Sequence, residues 1–296
     1  MYAACMNNDL STAQNHNRLD DRQGRLVVMG ILNVTPDSFS DGGKFLNVDS
    51  AVAHGTAMVA QGADIIDVGG ESTRPGRLAT VSVKEELTRV IPVIKRLKAE
   101  VNPFISIDTF KPEVAAEAVR AGAGMINDVS MLRYGNELAE IAAEFGVELL
   151  IMHSRQTPTN MQNSIKYDNV VADVARELDE AANRAVEVGV PKKNIWLDPG
   201  IGFAKTAAHN LELMAGLREI VNLGYRVLVG PSRKSFIDAF AGASVNNRIG
   251  GTAAAIAVSV LNGAVGIRVH DVDLMKQAAL IAHAIASVNC EEKKHA

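Results

Sequence analysis

Polar side chains that could bind a small aromatic molecule stand at the ends of short apolar segments in this chain of 296 residues. Asp108 ends ISID, Asn127 lies in MINDVS, Asp198 follows IWL, and Lys234 follows RVLVGPSR. A carboxylate can accept two parallel N–H bonds from an amidine-like edge, and an ammonium can donate to a carbonyl. The four side chains therefore suit a flat heterocycle rich in N–H donors. The alternative is that Asp108 and Asp198 pair internally with Lys or Arg, but a polar cluster of this kind favours a site.

A second group of polar residues could hold an anion. Arg268 and His270 alternate in GIRVHD, so both side chains point to the same face of a strand. A guanidinium offers a planar fork to phosphate oxygens, and an imidazole adds a further donor. Asn33 can supply a carbonyl oxygen to Mg²⁺, which commonly sits on substrate phosphates with few protein ligands. We therefore expect a phosphate-bearing substrate with Mg²⁺, while His270 taken alone could also be a locally satisfied rim histidine.

The segments that carry these residues recur eight times and suggest how the residues are positioned. Each segment is apolar until its last residues and then turns polar or glycine-rich, as the strands of a barrel enzyme do at the edge that faces the active site. In ISID, the alternation puts Ile105 and Ile107 toward a helix layer and Asp108 toward the barrel mouth. His153 is expected only to fill the barrel. The eight segments are LVVMGILNV (26–34), DIIDVGG (64–70), PFISIDT (103–109), GMINDVS (124–130), ELLIMHS (148–154), IWLDP (195–199), RVLVGPS (226–232) and GIRVHD (266–271).

The intervening residues carry helical signals. Ser82 to Glu85 form a capping-box pattern before a run with helical spacing, in which Pro92 should produce a kink. Lys111–Pro112 opens the next helix, with proline at a tolerated first position. Asp49 is a plausible cap for the first helix. The other predicted helices cover residues 49–61, 136–145, 168–188, 208–222, 247–262 and 272–289.

Strand and helix alternate eight times, which predicts parallel strands joined by right-handed crossovers. The alternative, a doubly wound open sheet, would concentrate its site at one switch point. Polar residues end strands near both the N-terminus and the C-terminus of the chain, which favours a closed barrel over an open sheet. The predicted fold is therefore an α/β, single-domain (β/α)8 TIM barrel over residues 26–290, with a flexible extension at 1–25 and a polar tail at 291–296. The longest irregular stretches, 35–47, 71–81 and 154–166, follow strands and are expected on the catalytic face.

Composition excludes several classes of protein. The net charge of −4 predicts no attraction to nucleic acid or to an anionic membrane. No apolar run approaches the roughly 18 residues of a spanning helix, and the first residues do not resemble a signal peptide. The two cysteines, Cys5 and Cys290, are expected to be reduced thiols of a cytoplasmic protein. DPGIGFAK (198–205) lacks the Gly-Lys-Ser/Thr ending of a P-loop, and neither zinc-ligand spacing nor a G-x-S-x-G elbow occurs.

In their order, the motifs of residues 26–290 resemble those of dihydropteroate synthase, an enzyme family of the folate pathway. The strongest are MGILNVTPDSFSDGG, DVGGESTRPG, IDTFKPEVA, IND, LDPGIGFAKT, SRKSF and RVHDV. The resemblance implies a transferase that joins 6-hydroxymethyl-7,8-dihydropterin diphosphate to p-aminobenzoate and releases diphosphate. It also implies a homodimer formed through residues 247–289 and inhibition by sulfonamides. The alternative is a catalytically silent pterin-binding paralogue. Loss of the first loop, Lys234, Arg268 or His270 would favour that alternative, but the sequence contains all of them.

The resemblance also implies a role for each candidate residue. Lys234, Arg268 and His270 would be catalytic, and Asn33 would help to place Mg²⁺. The diphosphate would be held by the loop around Thr35–Asp41 together with Arg268 and His270. The pterin diphosphate contacts would be Thr73, Asp108, Asn127, Asp198, Lys234, Arg268 and His270. The p-aminobenzoate contacts would be Phe39, Thr73, Arg74, Pro75, Phe203 and Ser235, the last at a helix start, where an anion is favoured.

Two positions depart from the family pattern. Pro231 stands where many members carry a threonine, and it removes one backbone N–H near the seventh strand tip. His153–Ser154–Arg155 differs from the more frequent version with Met and Gly, and we expect little effect there. No insertion interrupts ESTRPG, which supports the expectation that sulfonamides inhibit the protein.

Overall fold

The structure, a computed structural model, describes residues 25–35, 44–71, 81–155 and 166–292. The predicted extension at 1–25, apart from Arg25, and most of the tail at 291–296 lie outside these ranges. The boundaries proposed for the domain therefore stay predictions. None of the helices in the described ranges is both long and apolar enough to span a membrane.

Eight parallel strands close into a barrel in sequence order, because β1 pairs with both β2 and β8. The closed (β/α)8 barrel confirms the predicted fold and excludes the open sheet. The strands are β1 (Val27–Asn33), β2 (Ile65–Gly69), β3 (Phe104–Asp108), β4 (Met125–Asp128), β5 (Glu148–Met152), β6 (Ile195–Asp198), β7 (Arg226–Val229) and β8 (Gly266–Val269).

Helices follow the strands and form the outer layer. They are α1 (Lys44–Ala60), α2 (Val83–Glu100), α3 (Pro112–Arg120), α4 (Glu137–Phe145), α5 (Val170–Glu187), α6 (Ala207–Ala215), α7 (Leu217–Val221), α8 (Ser235–Ala241), α9 (Ile249–Leu261) and α10 (Val272–Glu292), with 3-10 turns at Lys192–Asn194 and Val245–Asn247.

Most helix boundaries follow from local chemistry, and two expectations were wrong. Ser82 caps α2 by accepting the backbone N–H of Glu85, as its capping pattern predicts, and α2 continues through Pro92. Asp49 does not cap the first helix, because α1 already begins at Lys44. The single helix predicted over 208–222 is divided into α6 and α7 at Gly216, where an added Cβ atom would lie 2.8 Å from Val171 Cγ2.

The core has two layers, as the alternation along the strands requires. One face of each strand packs on the helices, and Ile105 and Ile107 lie in this layer. The other face fills the barrel below the mouth with side chains that share nearly complete burial, namely Val27, Met29, Ile65, Phe104, Met125, Leu150, Trp196 and Leu228. Because these side chains fill the lower barrel, the ligand site is expected at the C-terminal strand ends.

Candidate active site

The predicted site residues meet at the C-terminal mouth of the barrel. Register places Gly69 beside Asp108, and Asp108 beside Asn127, on three neighbouring strands. On the opposite side, a Cβ atom added at Gly230 would lie 3.6 Å from Arg268 Cβ and 3.8 Å from Asp198 Oδ2. Asp108, Asp198 and Arg268 therefore border the two glycines, which add no side chain to the mouth.

Arg268 is held by two carboxylates. Its Nε donates to Asp67 Oδ2 at 2.6 Å, and one terminal nitrogen donates to Asp108 Oδ2 at 2.7 Å. Asn127 also donates to Asp67 Oδ2, at 3.0 Å. Asp67 thus fixes both a cation and an amide of the site, although the sequence analysis did not single it out. The signal was available, since Asp67 alternates with Ile66 and Val68 in DIIDVGG as Asp108 does in ISID.

Asp108 retains unused capacity for hydrogen bonding. Its Oδ1, like Asp67 Oδ1, is buried and has no hydrogen-bond partner among the described residues. Burial raises the pKa of Asp108 to about 7, against the opposing charge of Arg268 and with the help of the neighbouring Asp67 charge. A buried polar atom without a partner is costly, so this oxygen is suited to a polar ligand in the mouth.

Asp198 and Lys234 form the opposite wall. Asp198 Oδ1 accepts the backbone N–H of Gly200 at 2.7 Å, and burial raises the Asp198 pKa. Burial lowers the pKa of Lys234 to about 7, partly offset by the Asp198 charge. Lys234 donates to the carbonyl of Ile201, and its Nζ lies 3.9 Å from the centre of the Phe203 ring. Phe203 therefore borders the same space as the two charged groups.

The turn after β7 is hydrogen-bonded to the end of β8, and this links Lys234 to His270. Ser232 Oγ lies 3.0 Å from His270 Nδ1 and accepts the backbone N–H of His270 at 3.2 Å. Next to Ser232, Arg233 adopts a left-handed backbone with a φ of 56° and pairs with Asp271 through two nitrogens. The carbonyl of Pro231 accepts the backbone N–H of Lys234, so proline is accommodated in this turn.

Asn33 ends β1 at the same mouth. A Cβ atom added at Gly69 would lie 3.7 Å from Asn33 Oδ1 and 3.5 Å from Asp108 Cβ, so this amide borders the pocket. The described part of the chain has no group of three or more His, Cys, Asp or Glu that could hold a metal ion. The Asn33 amide oxygen is a ligand of the type that Mg²⁺ accepts, alongside substrate phosphates and water.

The other predicted contacts divide into two groups. Ser235 is the exposed first residue of α8, directly after Lys234, as expected. The predicted contacts Phe39, Thr73, Arg74 and Pro75 lie outside the described residues. His153 does not fill the barrel as expected, because its ring lies between Glu177 of α5 and Lys205.

Comparison with known proteins agrees with this geometry. Residues 29–270 match the family described as pterin binding enzyme. A dihydropteroate synthase of Clostridium beijerinckii is 47% identical over 249 residues, which cover 84% of this chain and 90% of the relative. A Xanthomonas albilineans dihydropteroate synthase structure with 4-aminobenzoic acid has a TM-score of 0.82 at 46% identity and covers 88% of this chain and 93% of its own. A Yersinia pestis dihydropteroate synthase structure in a sulfonamide drug complex has a TM-score of 0.82 at 43% identity. The match covers 89% of this chain and 95% of the Yersinia pestis chain.

Proposed function

This chain belongs to the dihydropteroate synthase family of pterin-binding enzymes, and we propose that the described barrel mouth holds the substrates of that reaction. The reaction condenses 6-hydroxymethyl-7,8-dihydropterin diphosphate with p-aminobenzoate to give 7,8-dihydropteroate and diphosphate. The enzyme is a transferase of folate biosynthesis. The division of labour among its residues follows from the chemistry of each substrate.

The unpartnered Asp108 Oδ1 is the observation that carries the pterin assignment. A pterin edge presents adjacent N–H donors. The carboxylates of Asp108 and Asp198 and the amide of Asn127 line the barrel mouth, where they can accept these bonds. Lys234 lies on the same wall as Asp198 and can donate to the pterin carbonyl. Because Asp108 already binds Arg268 through Oδ2, its free oxygen can bind the ring without breaking that ion pair.

Arg268 and His270 bind the diphosphate leaving group in this proposal. Arg268 is oriented by two carboxylates, so its fork is ordered before substrate enters, and preorganised charge is the most effective kind in catalysis. His270 is oriented by Ser232 and supplies a second donor. Asn33 would help to hold Mg²⁺, which when bound neutralises charge on the diphosphate oxygens.

The p-aminobenzoate subsite is proposed around Phe203 and Ser235. Phe203 offers an aromatic wall next to Lys234, and Ser235 can bind the carboxylate at the start of α8. Phe39, Thr73, Arg74 and Pro75 would complete the subsite and stay predictions. Sulfonamides would occupy this subsite as p-aminobenzoate analogues, a proposal supported by the Yersinia pestis complex.

Bond breaking needs no nucleophile from the protein. The electron-rich dihydropterin can stabilise positive charge on its methylene carbon as the bond to diphosphate breaks. The neutral aniline nitrogen then attacks this carbon and loses a proton as the C–N bond forms. Arg268 and His270 stabilise the departing charge, while the pocket orients the two reactants and limits access of water.

We also propose a homodimer formed through α9 and α10. Exposed apolar side chains share one face of α10, namely Leu274, Ile281, Ile285 and Val288, and Val258 is exposed on neighbouring α9. Monomeric proteins rarely expose contiguous apolar patches of this kind. The cytoplasmic location stays a prediction of the sequence.

The decisive assay measures diphosphate release by purified protein, with the pterin diphosphate and Mg²⁺, in the presence and absence of p-aminobenzoate. Release that requires both substrates, with dihydropteroate appearing in equal amount, supports the proposal. Asp108→Asn should weaken pterin binding, whereas Lys84→Met, an exposed substitution on α2, should change nothing. Tight pterin binding without turnover would instead identify a silent paralogue.

A further inference from the structure

A buried lysine behind the proposed aminobenzoate subsite takes no part in the chemistry above. Lys205 ends the segment DPGIGFAK after β6, and only 8% of its surface is exposed. Its Nζ donates to the carbonyl oxygen of Phe203 at 3.0 Å and lies 3.0 Å from His153 Nδ1. Burial lowers the Lys205 pKa to about 7, partly offset by the Asp198 charge.

The backbone around Lys205 adopts a conformation that needs such support. Gly200, Gly202 and Ala204 have positive φ angles of 68°, 81° and 48°, so left-handed residues alternate along the segment. This conformation is unfavourable for alanine, and it persists where surrounding contacts over-determine it. Tyr167 donates its hydroxyl to the carbonyl of Ala204 at 3.2 Å, and Lys205 binds the carbonyl one residue earlier. Together these two hydrogen bonds hold the peptide units before and after Ala204.

These bonds determine where the Phe203 ring lies. The ring contacts Val129 and Met152 at the barrel mouth and faces Lys234 Nζ at 3.9 Å. A shift of the Phe203 backbone would therefore move the aromatic wall relative to the pterin side of the site.

Lys205 is in turn anchored to the helix layer. His153 Nε2 lies 3.1 Å from Glu177 Oε2 on α5, and Arg155 pairs with the same carboxylate. Burial lowers the His153 pKa to about 3, so the ring is neutral and can accept from Lys205 through Nδ1 while donating to Glu177. A continuous chain of hydrogen bonds thus joins Glu177 to the backbone of Phe203.

We propose that Lys205 is a positioning residue that sets the aminobenzoate subsite by holding the Phe203 backbone against β5 and α5. The inference rests on the proposed function, because that function assigns Phe203 to p-aminobenzoate. Lys205 does not touch substrate. Because Lys205 acts through Phe203, its replacement should weaken the binding of p-aminobenzoate but not that of the pterin diphosphate.

The test compares Lys205→Met, which keeps side-chain length but removes the donors, with the wild type. We expect the KM for p-aminobenzoate to rise about tenfold, which corresponds to the free energy of one lost hydrogen bond. The KM for the pterin diphosphate should change less than about twofold, since Asp108, Asn127 and Asp198 remain in place. Lys84→Met serves as the matched lysine control and should leave both constants unchanged.

A double-mutant cycle with Phe203→Leu shows whether Lys205 acts through the ring. If it does, adding Lys205→Met to Phe203→Leu should raise the aminobenzoate KM no further. Should Lys205→Met not fold, Tyr167→Phe removes the neighbouring bond at Ala204 and should produce a smaller effect of the same selectivity.

Equal losses for both substrates, full additivity with Phe203→Leu, or unchanged constants would each overturn the role of Lys205. Absence of dihydropteroate formation by the wild type would instead overturn the proposed function, so the two failures are distinguishable.

Discussion

Replacement of Arg268 by methionine tests the electrostatic design of the site most directly. Asp67 is 0% exposed and Asp108 is 5% exposed, and Arg268 neutralises both through bonds of 2.6 and 2.7 Å. Removing one partner of a buried ion pair costs about 3–5 kcal/mol, because the remaining charge stays buried. Two lost charge-assisted bonds at about 1.5–3 kcal/mol each give a similar range. We therefore expect Arg268→Met to lower the free energy of unfolding by about 4 kcal/mol.

The destabilisation caused by Arg268→Met should increase as the pH rises. Without Arg268, the Asp108 pKa should rise above its present value of about 7, because the opposing positive charge is gone. Below that pKa the folded variant binds a proton and the unpaired charge disappears. The destabilisation should therefore be smaller at pH 5 than at pH 8, and the variant should lose stability as pH rises.

Thermal and urea unfolding measure the stability, and diphosphate release measures the activity. At about 2–4 °C for each kcal/mol, a loss of about 4 kcal/mol should lower the unfolding midpoint by roughly 8–16 °C. Activity should fall about 10²–10³-fold, since preorganised charge at the leaving group is lost.

The double variant Asp67→Asn/Arg268→Met separates stability from catalysis. The amide removes one buried charge and its oxygen can still accept from Asn127, so much of the lost stability should return while activity stays low. Unchanged unfolding of Arg268→Met would refute the argument, as would recovery of activity in the double variant.

Three further predictions concern backbone, titration and assembly. Gly200→Ala should destabilise the fold by more than about 2 kcal/mol, because its left-handed backbone disfavours alanine and the new Cβ would lie 2.0 Å from a carbonyl oxygen. Gly146→Ala is its matched control, since φ is also positive at 66° but nothing lies within 4 Å, so a cost of about 1 kcal/mol in urea unfolding is expected. Burial raises the Asp108 pKa from its usual value to about 7, so its neutral form stabilises the fold below pH 4, and that contribution is lost as pH rises toward 7. Unfolding between pH 4 and 8 should therefore show this fall in the wild type and not in Asp108→Asn, and parallel curves would contradict it. Ile281→Arg on the apolar face of α10 should convert the proposed dimer to a monomer in sedimentation, and a monomeric wild type would disprove the dimer.

The alternation of residues made much of the site predictable. Asp108 ends β3 and Asn127 lies one residue before the end of β4; each is predicted from its place near the end of an apolar strand, and register confirms that they are neighbours. Asp67 obeys the same pattern two residues before the end of its strand. Glycine occupies the end of this strand, so a search for polar residues at strand tips does not find Asp67.

Contacts between distant residues could not be derived in this way. Arg268 binds Asp67 and Asp108, 201 and 160 residues away, only because barrel closure brings β8 beside β1. The expected position of His153 was wrong for a related reason. Its place at the end of β5 suggested an interior side chain, but the ring turns toward Glu177 and Lys205, whose positions depend on how α5 and the segment after β6 pack.

By itself, the sequence determined the (β/α)8 fold, the family and most residues of the mouth, because strand periodicity and motif order are local properties of the chain. Only the tertiary structure decided which charges neutralise each other, which oxygens stay unpartnered, and which groups have shifted pKa values. Burial and pairing depend on atoms supplied by strands that are remote in sequence, so the chemistry of Asp108, Lys234 and Lys205 emerges only when the barrel closes around them.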